Sequence, residues 1–207
     1  MTAPQRFRST PAQVGAWLWM AFAALNLADI ALRGRDLASA ATAAVLLLGC
    51  GIAYVVGLRP VIVADERGVT VRNPLRDTRM PWPAIKKIEA ATAVTITYTG
   101  DGGAERTVRA WALQTSPRAQ AKAERAARRV QSGGGAGKLP DAAGRTPTMF
   151  VAQQLNELRT RHRGTQSGPQ TGERAAGEAV GWAWPAVASV AVPAAAFAAL
   201  ILAAWLS

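Results

Sequence analysis

Apolar positions along this chain are gathered into three long blocks, with one region of short alternating runs between the second and the third. Val14–Leu32 and Leu37–Leu58 are each long enough to cross a hydrocarbon core, which takes about 20 helical residues at a rise near 1.5 Å. Arg33-Gly34-Arg35-Asp36 joins them as a tight helical hairpin, and residues 1–13 read as an amino-terminal tail. The third block, 180–206, is richer in Ala than in Leu but contains no charge, so it too reads as a span. A signal peptide is the competing reading of the first block, because Arg6 and Arg8 precede it and Ala38-Ser39-Ala40 resembles a cleavage site. The block exceeds a signal core of about 7 to 15 residues, which favours a retained span.

After Leu58 the period changes to the alternation of half-buried strands. The pattern predicts strands over Arg59–Ala64, Val69–Asn73, Asp77–Trp82, Ile85–Ala90, Val94–Thr99 and Glu105–Trp111. Asp65-Glu66-Arg67-Gly68, Asn73-Pro74-Leu75-Arg76 and Gly100-Asp101-Gly102-Gly103 supply the residues that tight turns require. Trp82 and Trp111 fall among apolar strand positions and are expected in the core. Thr146-Pro147 then sets a hydroxyl cap before a first-turn proline, with Val151, Leu155 and Leu158 following on one helical face. Closely spaced antiparallel strands closed by a carboxy-terminal helix describe a pleckstrin-homology-like (PH-like) fold over 59–162. The fold class expected is therefore an integral membrane protein, three transmembrane helices plus a mainly antiparallel β PH-like domain.

Three stretches carry a family resemblance: Arg59-Pro60-Val61 leaving a helical hairpin, Gly68-Val69-Thr70-Val71-Arg72-Asn73, and Met80-Pro81-Trp82-Pro83-Ala84-Ile85. Together they resemble the bacterial PH-like domain of actinobacterial membrane proteins, over roughly Leu25 to Trp111. The resemblance implies a membrane-tethered PH-like domain without an assigned activity. Such a fold has seven strands where the pattern yields six, and the place of a seventh is taken by a polar, basic insertion at 114–145. The first hairpin turn, Asp65-Glu66-Arg67-Gly68, is not the Lys/Arg cluster that inositol-lipid recognition uses.

Charge adds orientation. The formal net charge is +11, and all but four of the 24 Lys and Arg (Arg6, Arg8, Arg33 and Arg35) lie between the second and third blocks. By the positive-inside rule this places the amino terminus and the domain on the cytoplasmic side. Within the insertion, Ser116-Pro117 starts an Ala-rich helix on which Arg118, Lys122, Arg125 and Arg129 form one basic stripe suited to anionic lipid headgroups. A solvated helix is the bland reading of the same residues. The run Ser132–Lys138 is Gly-rich but lacks the spacing of a phosphate-binding loop and reads as linker, as does 163–179.

Inside the blocks, Gly49, Ala53 and Gly57, and Ala191, Ala195, Ala199 and Ala203, recur every fourth residue and offer flat faces for helix packing, set against plain Ala-rich composition. Asn26 and Asp29 share a face, and Asp29 is near enough to the end of its span to reach water. Tryptophans 17, 19, 182, 184 and 205 fall toward span ends, as interfacial rings do.

Little points to catalysis. His162 is the one histidine and Cys50 the one cysteine, the latter within an apolar block, so a histidine triad, a Cys/His metal site and a disulfide framework are all disfavoured. No cofactor is expected. The leading expectation is a noncatalytic membrane-anchored module that binds a protein partner or anionic lipid. Nucleic-acid binding through the basic surface, or an enzyme without a recognisable motif, is the alternative.

Overall fold

The structure is a computed structural model that describes residues 4–100, 102–114, 118, 121, 125, 146–165 and 179–206. The chain divides into two compact units, one made of Met1–Arg8, Val61–Arg72 and Thr78–Val180, the other of Ser9–Pro60, Asn73–Asp77 and Gly181–Ser207.

The first unit is a PH-like sandwich. Among the described residues its strands include β1 (Gln5–Phe7), β2 (Val61–Ala64), β3 (Gly68–Arg72), β4 (Arg76–Pro81), β5 (Ile85–Ala90), β6 (Ala93–Thr99) and β7 (Glu105–Gln114). One sheet has the order β1-β2-β3-β4 and continues beyond β4 with β8 (Ala179–Trp182), and the other has the order β5-β6-β7. Alternation decides which side chains meet between the sheets: Ile62 and Ala64, Val69 and Val71, Thr78 and Met80, and Val94, Ile96 and Tyr98 are all buried. Helix α3 (Pro147–Thr165) closes the core with Val151 and Leu155, while Leu158 packs against it partly buried. Its start is the one the sequence predicts, with the Met149 N–H donating to the Thr146 hydroxyl at 3.3 Å. Asn156 Nδ2 donates to the Ile88 carbonyl at 3.2 Å and Arg159 Nη1 to the Lys86 carbonyl at 2.6 Å, so polar side chains also fasten α3 to β5.

Two expectations need correction here. A strand beyond the six expected is β1, from the stretch read as an amino-terminal tail. Gln5, Arg6 and Phe7 pair antiparallel with Ala64, Val63 and Ile62. Three residues are too few for alternation to register, and β1 is separated from its partner by the whole helical hairpin. Trp111 is the second case. Ala110 and Ala112 are the buried neighbours on β7, so pleating turns Trp111 outward and leaves it 49% exposed. A register shift between β6 and β7 falls between Ala93 and Thr95, and the period across that stretch cannot be read from apolar residues alone. Trp82, by contrast, is fully buried, and its indole N–H donates to the Asp65 carbonyl at 2.9 Å.

The second unit contains three helices long and apolar enough to cross a membrane: α1 (Thr10–Arg33), α2 (Leu37–Ala53) extended by one π-helical turn to Leu58, and α4 (Trp184–Leu206). Helix α1 begins before Val14 because Pro11 occupies its first turn, where a missing N–H costs nothing. The third helix begins at Trp184 rather than Val180. Ala179–Trp182 is instead strand β8, and Pro185 suits the first turn of α4, where a missing N–H costs nothing. Arg59 and Pro60 likewise stay out of β2, since Arg59 keeps helical backbone and donates its N–H to the Tyr54 carbonyl at 2.9 Å.

Glycines lie where the helices of this unit come close. A Cβ on Gly49 would run into the Trp19 ring, and one on Gly57 would lie 2.8 Å from the Ala12 carbonyl oxygen, so both lie against α1. Gly51, outside the expected Gly/Ala row, lies against α4: a Cβ there would strike the Ser189 carbonyl. Pro193, inside α4, has no N–H to donate back to Ser189 four residues earlier, which leaves that carbonyl facing the α2 backbone.

Candidate functional site

Of the expected basic stripe, Arg118 and Arg125 have helical backbone and are exposed. Lys122 and Arg129 lie outside the described residues, as do the Gly-rich run 132–138 and most of the linker 163–179.

Elsewhere on the sandwich, several exposed cations are already matched. Arg79 pairs with Asp65 at 3.4 Å, Lys86 with Glu105 at 3.7 Å and Lys87 with Glu89 at 2.7 Å. Exposed pairs of this kind contribute about 0 to 1 kcal/mol each, so their consequence is local neutralisation of the surface rather than stability. Asp65 has a second duty. Its Oδ1 accepts from the N–H groups of Arg67 and Gly68 at 2.8 and 2.9 Å, which shapes the β2–β3 turn. The acidic residue in the first hairpin thus builds backbone instead of presenting a ligand site.

The most organised polar constellation was not legible in the sequence. Arg59, only 10% exposed in its side chain, donates from Nη1 to the carbonyls of Asn73 and Pro74, the latter at 3.1 Å, and from Nη2 to Asp77 Oδ1 at 2.8 Å. One guanidinium therefore ties down the β3–β4 turn through its planar fork. The same turn is held from a second direction. Ala183 N–H donates to the Leu75 carbonyl at 3.0 Å, and the Arg76 guanidinium carbon lies 4.6 Å from the centroid of the Trp182 ring. Sequence signals for Arg59 pointed to a strand start, because nothing local tells a strand arginine from one that reaches across to residues more than a dozen positions away.

Asn26 and Asp29, although on one face of α1, do not form a unit. Asn26 Nδ2 donates to the Phe22 carbonyl at 2.8 Å, and Asp29 pairs with Arg33 at 3.2 Å with both side chains exposed. Asp36 caps α2: Ser39 N–H donates to its Oδ1 at 2.9 Å, and hydrogen bonds from the Ser39 side chain and backbone hold its carboxyl below the usual carboxylate range. His162 stacks on Trp82 with ring centroids 5.3 Å apart and planes 13° from parallel. Its place is therefore on the sandwich core. Among the described residues no group of three or more His, Cys, Asp or Glu is arranged to hold a metal ion.

Comparison with known proteins adds one match. Residues 59–130 fit a family model described as a bacterial PH domain. No curated protein matches the chain. No solved structure matches it either.

Proposed function

Taking residues 59–130 as a bacterial PH domain, we propose that the chain is a noncatalytic, membrane-anchored module that presents this domain at the cytoplasmic face to anionic lipid headgroups or to a protein partner. The observation that carries the reading is the pairing of β1 with β2 across the α1–α2 hairpin. A strand from each side of the hairpin joins one sheet, which supports both ends of the hairpin facing the same compartment and the domain never leaving the membrane that the hairpin occupies. The basic excess between α2 and α4 favours the cytoplasmic compartment. With attachment already supplied by helices, the basic residues at 118, 122, 125 and 129 would orient the domain, each worth about 1 kcal/mol near an anionic surface.

Two experiments test the reading. In intact cells carrying a Cys50→Ala, Ser167→Cys chain, a membrane-impermeant thiol reagent should leave position 167 unlabelled until the cells are opened; labelling from outside would invert the topology. In nanodiscs containing photoactivatable phosphatidylglycerol, the full chain should crosslink through 114–130, and changing Arg118, Lys122, Arg125 and Arg129 together to Glu should abolish it. Equal crosslinking by both chains would remove the lipid role and leave a protein partner as the ligand of the domain.

A further inference from the structure

The β3–β4 turn, Asn73–Asp77, belongs to the same compact unit as the three helices. Its fixings explain why. Arg59, the first residue beyond the helical turn that ends α2, binds the turn at Asn73, Pro74 and Asp77. Ala183, the residue before α4, holds it at the Leu75 carbonyl. The turn is thereby bolted to the point where one helix ends and to the point where another begins. Where α2 and α4 cross a bilayer, those two points are at the membrane surface, and the turn has no freedom to be anywhere else.

What the turn presents there is apolar and cationic. Leu75 is 42% exposed although it sits in a turn otherwise made of Asn, Pro, Arg and Asp. Trp182 and Trp184, flanking the Ala183 anchor, are exposed at 54% and 72%. Arg76 stacks on the Trp182 ring, which orients its guanidinium while leaving donors available. An exposed leucine beside two exposed indoles and a stacked arginine matches the headgroup layer, where indoles settle and where a guanidinium meets phosphate.

We propose that Asn73–Asp77 is a lipid-contacting site, with Leu75 entering the boundary between headgroups and acyl chains and Arg76, braced on Trp182, binding a lipid phosphate. The site rests on the reading of α2 and α4 as membrane spans and goes beyond it: the Asn73–Asp77 turn meets the bilayer at residues other than the basic stripe. The bilayer is the occupant favoured over a protein because the turn is continuous with the helix ends.

The test uses the full chain, Cys50→Ala, in nanodiscs, with an environment-sensitive fluorophore on a single cysteine at Leu75, at Leu25 on the exposed side of α1, or at Thr107 on the exposed side of β7. Quenching by lipids carrying a shallow nitroxide is compared with quenching by aqueous iodide. The label at 75 should be quenched by the lipid nitroxide and protected from iodide, the label at 107 should show the reverse, and adding Arg76→Glu should move position 75 toward iodide. A label at 75 that behaves like the one at 107 overturns the proposal, and so does one shielded from both quenchers, which would mean a protein covers the turn. Loss of nitroxide quenching at Leu25 would bring down the spanning reading itself, whereas failure at Leu75 alone leaves that reading intact.

Discussion

The two units of this chain use the same apolar residues to opposite ends. In the sandwich, Ile62, Val69, Val71, Met80, Trp82, Ile85, Val94 and Ile96 are wholly withdrawn from the surface, with Leu155 of α3 sealing them. In the helical unit, Leu18, Leu25, Leu32 and Leu202 stay exposed, and of α1 only Ala16 and Ala23 are buried. One unit takes its apolar surface out of water by folding; the other leaves that surface for a solvent that is itself apolar. Packing follows the same division. Large side chains fill the sandwich core, whereas the helices meet at glycines, backbone to backbone at Gly51 and Gly57 and with the Trp19 ring laid on Gly49, because lipid removes the hydrophobic drive between them and leaves van der Waals contact as the main attraction.

The contrast can be broken most forcefully at Trp82. Replacing it by Ala removes a fully buried indole and should cost about 3 to 5 kcal/mol, read as lost protection of β6 amides in hydrogen exchange of the full chain. Trp111→Ala on the half-exposed face of β7 should cost far less, and equal losses at the two positions would erase the distinction between the inner and outer faces. In the helical unit, Gly51→Ala should cost about 1 to 3 kcal/mol by forcing α2 from the Ser189 carbonyl, measured as a lowered unfolding midpoint in detergent. Leu25→Ala, on exposed helix surface, should leave that midpoint nearly unchanged although it alters a larger side chain. Next in size, Thr146→Ala deletes the cap of α3 and should cost about 1 kcal/mol, with fraying confined to its first turn.

The smallest effect concerns pH. The Asp36 carboxyl is held below its ordinary pKa by Ser39, so the cap it provides is fully present above the ordinary carboxylate pKa and is lost as pH falls through the lowered folded value. Exchange at the first turn of α2 should rise over that acidic window in the parent chain and not in Asp36→Asn. No corresponding change is expected in the sandwich.

Much of the sandwich was legible because each strand states its own period. Ile85–Ala90 has the bounds that alternation predicts, and β3, β4 and β6 differ by a residue or so at their ends. The cap and buried face of α3 were legible too, since Thr146, Pro147, Val151 and Leu155 act within a few turns of one another. Trp111 was misread because an apolar residue in a strand has two faces available, and the β6–β7 irregularity near Ala93 separates the local pattern from the true one.

The sequence by itself determined the elements whose free energy is local: three long apolar helices, a run of amphipathic strands and a capped helix. Only the tertiary structure decided that Gln5–Phe7 pairs with β2, that Gly51 meets Ser189, and that Arg59 and Ala183 seize the Asn73–Asp77 turn. Each of those is a contact between distant stretches, made by a three-residue strand, a missing side chain or a single guanidinium. Such features carry no periodicity of their own, and their partners are chosen by the geometry of the assembled chain.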